Sequence, residues 1–187
     1  MRTHLAPHLA PRRAPRLAAG LAAGLAATTA ALIAACDHDP VRPPAAAELD
    51  RAKAATARYQ DVAQAVADGY VDAHIVMQNM GHHYLKASLL DDRFEPERPE
   101  LLVYAPDAGG HMRLVAMEYA VPLDKAAAAP AGFAGTDDVW DRNTKYGLWT
   151  VHAWLWRDNP AGVFAARNAR VQLDPGTLEG DRMPGMD

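Results

Sequence analysis

The chain has 187 residues, half of them hydrophobic, and carries 19 Lys and Arg against 23 Asp and Glu for a formal net charge of −4. That length can bury a core of ordinary size. Scattered cations in an acidic chain exclude an electrostatic nucleic-acid binder, and a single cysteine, Cys36, excludes an internal disulfide.

Residues 1–16 hold Arg2, Arg12, Arg13 and Arg16 and no acid, and Leu17 to Ala35 is uncharged and rich in Ala, Gly and Leu. The run ends in Ile33-Ala34-Ala35-Cys36. This segment resembles the signal peptide and lipobox of bacterial lipoproteins, in which the cysteine is cleaved at and acylated. The resemblance implies removal of residues 1–35, fatty acylation (palmitate) of Cys36, and a protein anchored by lipid outside the cytoplasm. In a Gram-negative cell that is the periplasmic side, and Asp37 favours the inner membrane. A retained helix is the alternative, since an apolar stretch of this length can just span a bilayer. All 23 acids follow Cys36, so the mature part carries 15 cations against 23 anions, a net charge of −8. Residues 36–47 then form the lipidated cysteine and a Pro-rich, extended tether. Residues 48–173 form the folded domain, and residues 174–187 form a disordered tail.

From Ala46 to Asp68, Leu49, Ala52, Tyr59, Val62, Ala63 and Val66 recur at helical spacing, which predicts an amphipathic helix stopped by Gly69. Val71–Met77 reads as a strand. Gln78–Tyr84 reads as a Gly-centred turn holding His82 and His83, with a short helix over 85–91 after it. The prolines of 94–100 mark a surface connection. Leu101–Ala105 and Met112–Val121 flank the turn Asp107-Ala108-Gly109-Gly110 as a hairpin. Residues 123–146 read as a long excursion with a short helical piece, and Leu148–Trp156 as a third strong strand. A helix followed by an antiparallel meander predicts a single α+β domain, the amphipathic helix packed on a small antiparallel sheet.

Strand parity selects the candidate site. Alternate residues of a strand share a face, which groups Leu114, Ala116, Glu118 and Ala120, and separately Thr150, His152, Trp154 and Trp156. Glu118 is then a carboxyl group at mid-strand among apolar neighbours, and such a group is costly unless paired, protonated or bound to a cation. Neighbouring strands would bring it to His152, and the turn would aim His83 at both. Two imidazoles and a carboxylate suit a divalent metal such as zinc or iron. His82 is a further candidate ligand. Met77 and Met80 beside the histidines raise the softer alternative of copper. If the domain is catalytic, Glu118 or a metal-bound water is the base. Trp154 and Trp156 are candidate ligand-binding residues. Ser88 is the only serine. No Gly-x-Ser-x-Gly and no phosphate-binding loop occurs, so serine-nucleophile and nucleotide chemistry find no support.

Gly81-His82-His83-Tyr84, the run Pro96 to Tyr104, Glu118-Tyr119 and the run His152 to Phe164 together resemble a family of secreted bacterial proteins and lipoproteins of uncharacterised activity. The resemblance covers roughly Ala54 to Leu173. It implies an extracytoplasmic domain and transfers no mechanism. Two functions therefore stand side by side. One is a membrane-tethered domain binding a metal or small ligand at His83, Glu118 and His152. The other is a non-catalytic envelope lipoprotein whose Trp-rich face meets a partner protein.

Overall fold

The computed structural model describes residues 44–135 and 137–174. The lipobox with Cys36, most of the tether and nearly all of the tail lie outside them. The described residues form one α+β domain, in which a helical segment packs on a curled, half-barrel sheet of six antiparallel strands. Among the described residues no helix is long and apolar enough to cross a membrane.

The helical segment is broken where a single helix was predicted. Helix α1 (Ala46–Thr56) continues as a 3₁₀ turn (Ala57–Gln60), and α2 (Val62–Ala67) follows. The break is at Asp61, which adopts an extended conformation and accepts the Ala63 N–H with its side chain as an N-cap. Periodicity cannot reveal a cap inside a continuous apolar pattern.

The strands are β1 (Val71–Met77), β2 (Gly81–Leu85), β3 (Leu101–Pro106), β4 (Met112–Pro122), β5 (Asp141–Asn143) and β6 (Leu148–Ala153). Their order in the sheet is β1-β2-β3-β4-β6-β5. It is a meander up to β4, after which β6 takes the place next to β4 and β5 forms the edge. Gln78–Met80 make the turn between β1 and β2, so His82 and His83 lie in a strand and not in the predicted turn. Gly81 starts that strand with φ +130°, and a Cβ there would sit 2.3 Å from the Tyr104 carbonyl oxygen. Only glycine allows β2 so close to β3. The helix predicted over 85–91 is reduced to a 3₁₀ turn at Ala87–Leu89. The excursion 123–146 contains β5 but no helix among its described residues.

The sheet separates two cores. Against the helices lie Leu102, Tyr104, Leu114, Met117, Tyr119, Val151 and Ala153 with Ala52, Tyr59 and Phe133. The opposite face holds two smaller clusters. One gathers Val103, Ala116, Trp154, Val171 and Leu173, the other Ile75, Leu85, Leu101, Ala120 and Leu148. Leu114 is on the helix face, contrary to simple parity. The β3–β4 register shifts between Val103↔Ala116 and Tyr104↔Leu114, so Val115 is an extra residue that reverses the alternation.

Candidate metal centre

The face opposite the helices carries the polar residues. In the β4–β6 register Glu118 stands directly opposite His152, where side chains of an antiparallel pair are neighbours. His83 is on β2, opposite Val103 of β3, and Glu118 is opposite Leu101. On a flat sheet, strands two apart are separated by about 9–10 Å. Side chains on the inside of a curled sheet converge, and His83 Nε2 comes within 3.5 Å of Glu118 Oε2. His152 Nε2 is 3.8 Å from Glu118 Oε1. One ligand-type atom from each of the three residues lies within 4.8 Å of the other two. All three side chains are buried, with residue exposures of 2%, 7% and 4% for His83, Glu118 and His152.

The sequence also orients the imidazoles. Strand β1 is bulged between Asp72 and Ile75, with His74 at φ +54°. Beyond the bulge Ile75 pairs with His83, and the Ile75 carbonyl oxygen lies 3.0 Å from His83 Nδ1. A carbonyl can only accept, so Nδ1 carries a proton, and Nε2 is the ring nitrogen that faces Glu118. A metal-binding histidine is normally held through its other nitrogen in this way. His152 stacks on Trp154, with centroids 6.0 Å apart and planes at 11°. Its Nε2 is buried and has no hydrogen-bond partner. Burial is the main force pushing its pKa below the ordinary histidine value. The Glu118 charge opposes that shift, while the Arg167 charge reinforces it.

The Glu118–imidazole separations are long for hydrogen bonds, which cluster at about 2.7–3.2 Å. The three groups face a common centre without bonding one another. A tetrahedral zinc ion with bonds of about 2 Å holds its ligand atoms about 3.3 Å apart, so a contraction of an ångström or so would close the set on an ion. Beside the cluster lies a cavity of about 590 Å³, whose wall includes Met77, Met80, Leu148 and Phe164. That volume is in the range of small-molecule sites.

Other sequence candidates fall elsewhere. His82 alternates away from His83; it is half-buried, burial lowers its pKa, and it belongs neither to the cluster nor to the cavity wall. Trp156 does not share a face with His152. Strand β6 ends at Ala153, and Trp156 turns to the helix side, where its Nε1 donates to Thr56 Oγ1 and Lys53 lies over its ring. Trp154 stays beside His152 but is buried, with Nε1 donating to the Ala165 carbonyl at 2.6 Å. Both tryptophans line a separate pocket of about 460 Å³ next to α1, not the cavity of the cluster.

Sequence reasoning missed the cavity wall. Phe164, Ala166 and Arg167 come from the irregular segment after β6. Two buried asparagines hold that segment. Asn159 donates to the Arg167 carbonyl, and Asn168 donates through its side chain to the Asp158 carbonyl and through its backbone N–H to the Asn79 carbonyl. Asn-Pro at 159–160 was the one visible signal, as a turn. No family model, curated protein or solved structure matches this chain.

Proposed function

We propose that this domain is an extracytoplasmic metal-binding module, with His83 Nε2, His152 Nε2 and a Glu118 carboxylate oxygen as the ligands. The observation that carries this reading is the convergence of three buried ligand atoms on one point, with the His152 Nε2 lacking any other partner. Two imidazoles and one carboxylate are a set that binds zinc or ferrous iron. Met77 and Met80 in the same cavity keep copper among the ions to be tested. A site with three protein ligands beside a cavity leaves a coordination position for water or a small ligand, which is the arrangement of reactive rather than purely structural metals.

The anchor is the second part of the reading. The lipobox at Ile33–Cys36, the uncharged run before it and the basic start of the chain support export and acylation at Cys36. A Cys36→Ser chain expressed in a bacterium should lose palmitate labelling and leave the membrane fraction. Full labelling of that variant would defeat the anchor.

Elemental mass spectrometry of the full chain, purified in detergent without a His tag, tests the metal. The expected result is about one zinc, iron or copper per chain, absent from a folded His83→Ala/His152→Ala variant. No metal in the wild type, even after incubation with all three ions, would leave the cluster as a polar network of the core.

A further inference from the structure

The methionines of the described residues divide between the two faces of the sheet. Met112 and Met117 belong to the helix-side core, where Met117 is fully buried and its sulfur accepts the Thr56 hydroxyl at 3.6 Å. Met77 and Met80 line the cavity that holds His83, Glu118 and His152. Methionine is a common filler of core gaps, and Met77 does pack against the cluster of Ile75, Leu101 and Leu148. Met80 is half-buried, yet among the described residues it packs against none of the three core clusters.

The register brings this pair to the imidazoles. Ile75 pairs with His83 and Met77 with Gly81, so Met77 is the diagonal neighbour of His83 across the two strands. Diagonal neighbours are about 7–8 Å apart, within reach of a long side chain. Gly81 puts no side chain opposite Met77. The Met80 N–H donates to the Met77 carbonyl at 3.0 Å, which closes the turn that carries both thioethers. That turn is fastened from outside the strands. Arg167 Nη1 donates to the Gln78 carbonyl at 3.0 Å, the Asn168 N–H to the Asn79 carbonyl at 2.8 Å, and the Leu173 N–H to Gln78 Oε1 at 3.0 Å. Two adaptable sulfur side chains therefore stand on fixed backbone beside two buried imidazoles.

Thioether sulfur is a soft ligand that selects cuprous copper, imidazole serves copper and zinc alike, and a carboxylate suits harder ions. We propose that the site takes cuprous copper through His83 Nε2, His152 Nε2 and the Met77 and Met80 thioethers, the thioethers filling the side that zinc or ferrous iron would leave to water. The inference deepens the metal reading and rests on it. It assigns to two residues outside the His-Glu-His set the choice of ion.

The probes are cuprous ion, kept reduced with ascorbate under anaerobic conditions, and zinc. The affinity of the full chain in detergent for each is measured by competition with a chromophoric chelator. Every sample carries Cys36→Ser, because a free thiol is itself a strong cuprous ligand. Met77→Leu/Met80→Leu keeps the volume and apolarity of the wall. It should lose at least about tenfold in cuprous affinity while zinc affinity stays within about threefold. X-ray absorption of the sample with both methionines should show a sulfur shell around copper and none around zinc, a readout that does not depend on the methionine variant folding. An unchanged cuprous affinity in the leucine variant, an equal loss for both ions, or a copper spectrum without sulfur would each overturn the inference and leave the zinc result standing. Cuprous binding that survives His83→Ala/His152→Ala would put the ion away from the cluster and overturn it as well. Failure of both ions to bind the chain with all these residues intact would defeat the metal reading and this inference together.

Discussion

Two buried glutamates on this sheet solve the same problem in different ways. Glu100 lies at the start of β3, where β4 runs on past its partner, and its Oε2 accepts the Ala120 N–H at 2.9 Å. Desolvation pushes its pKa up to about 8, so a proton neutralises it at neutral pH. Glu118 sits two strands away from His83 and opposite His152, and its nearest cationic or polar partners are two imidazole nitrogens at 3.5 and 3.8 Å. The first acid completes the backbone pairing of a strand that has lost its neighbour. The second is set among groups that can share an ion. Three tyrosines of the helix-side face follow the first logic: the Tyr70, Tyr104 and Tyr119 hydroxyls donate to the carbonyls of Pro99, Tyr59 and Pro96, each at 2.7 Å. Burial of a polar group is therefore not by itself a mark of function here; the convergence of several buried ligand-type atoms on one point is the distinguishing feature.

The comparison can be broken most severely on the helix face. Tyr104→Ala removes a fully buried ring that packs edge-on against Tyr84. It should cost about 3–5 kcal/mol, as large core aromatics do, and lower the midpoint in urea denaturation without regard to metal. A loss below about 1 kcal/mol would mean that this face is not the main core.

Glu100→Gln should have the next largest effect, in the opposite direction. The folded-state pKa of Glu100, about 8, lies above the ordinary 4.5. Between those values the folded chain holds a proton that the unfolded chain has released, so stability falls as pH rises through that window. Its contribution is complete below about pH 4.5 and lost once pH passes about 8. Glutamine has the same shape, keeps the acceptor for the Ala120 N–H and does not ionise. The variant should be more stable by up to a few kcal/mol at pH 8, with a flatter stability profile from pH 5 to 8. An unchanged profile would show that Glu100 ionises freely in the folded protein.

Glu118→Gln sharpens the contrast with the smallest change in stability. The apo protein should stay within about 1 kcal/mol of the wild type, because no ladder hydrogen bond depends on this side chain. Metal content should fall to background, and the thermal stabilisation expected of the wild type on adding zinc should be absent. A variant that still binds metal at wild-type stoichiometry would remove Glu118 from the ligand set.

The sequence marks the two strand residues of the site clearly. Glu118 and His152 stand out because a titratable group at mid-strand breaks an apolar alternation, and neighbouring strands of high β-propensity imply contact. His83 is legible as a residue but not as an element. Gly81 signals a turn when read alone; it is in fact the point where a strand begins against the Tyr104 carbonyl. The errors arise where alternation is interrupted. The extra residue at Val115 moves Leu114 to the other face, and the end of β6 at Ala153 swings Trp156 to the helix. The curl that brings His83 to Glu118 and the seating of 159–168 on the Gln78–Met80 turn depend on contacts distant in sequence. No local pattern encodes them.

The asparagine-pinned segment after β6 has a consequence for how such a protein diversifies. The candidate ligands stand on β2, β4 and β6, where each position is fixed by ladder hydrogen bonds to its neighbours. Phe164, Ala166 and Arg167 stand on chain outside that ladder, fastened chiefly through Asn159 and Asn168. Substitutions between those two anchors should alter what the cavity admits without moving His83, Glu118 or His152. The molecule thus separates a ladder-held candidate metal site from a cavity wall built on irregular chain, where substitution is better tolerated.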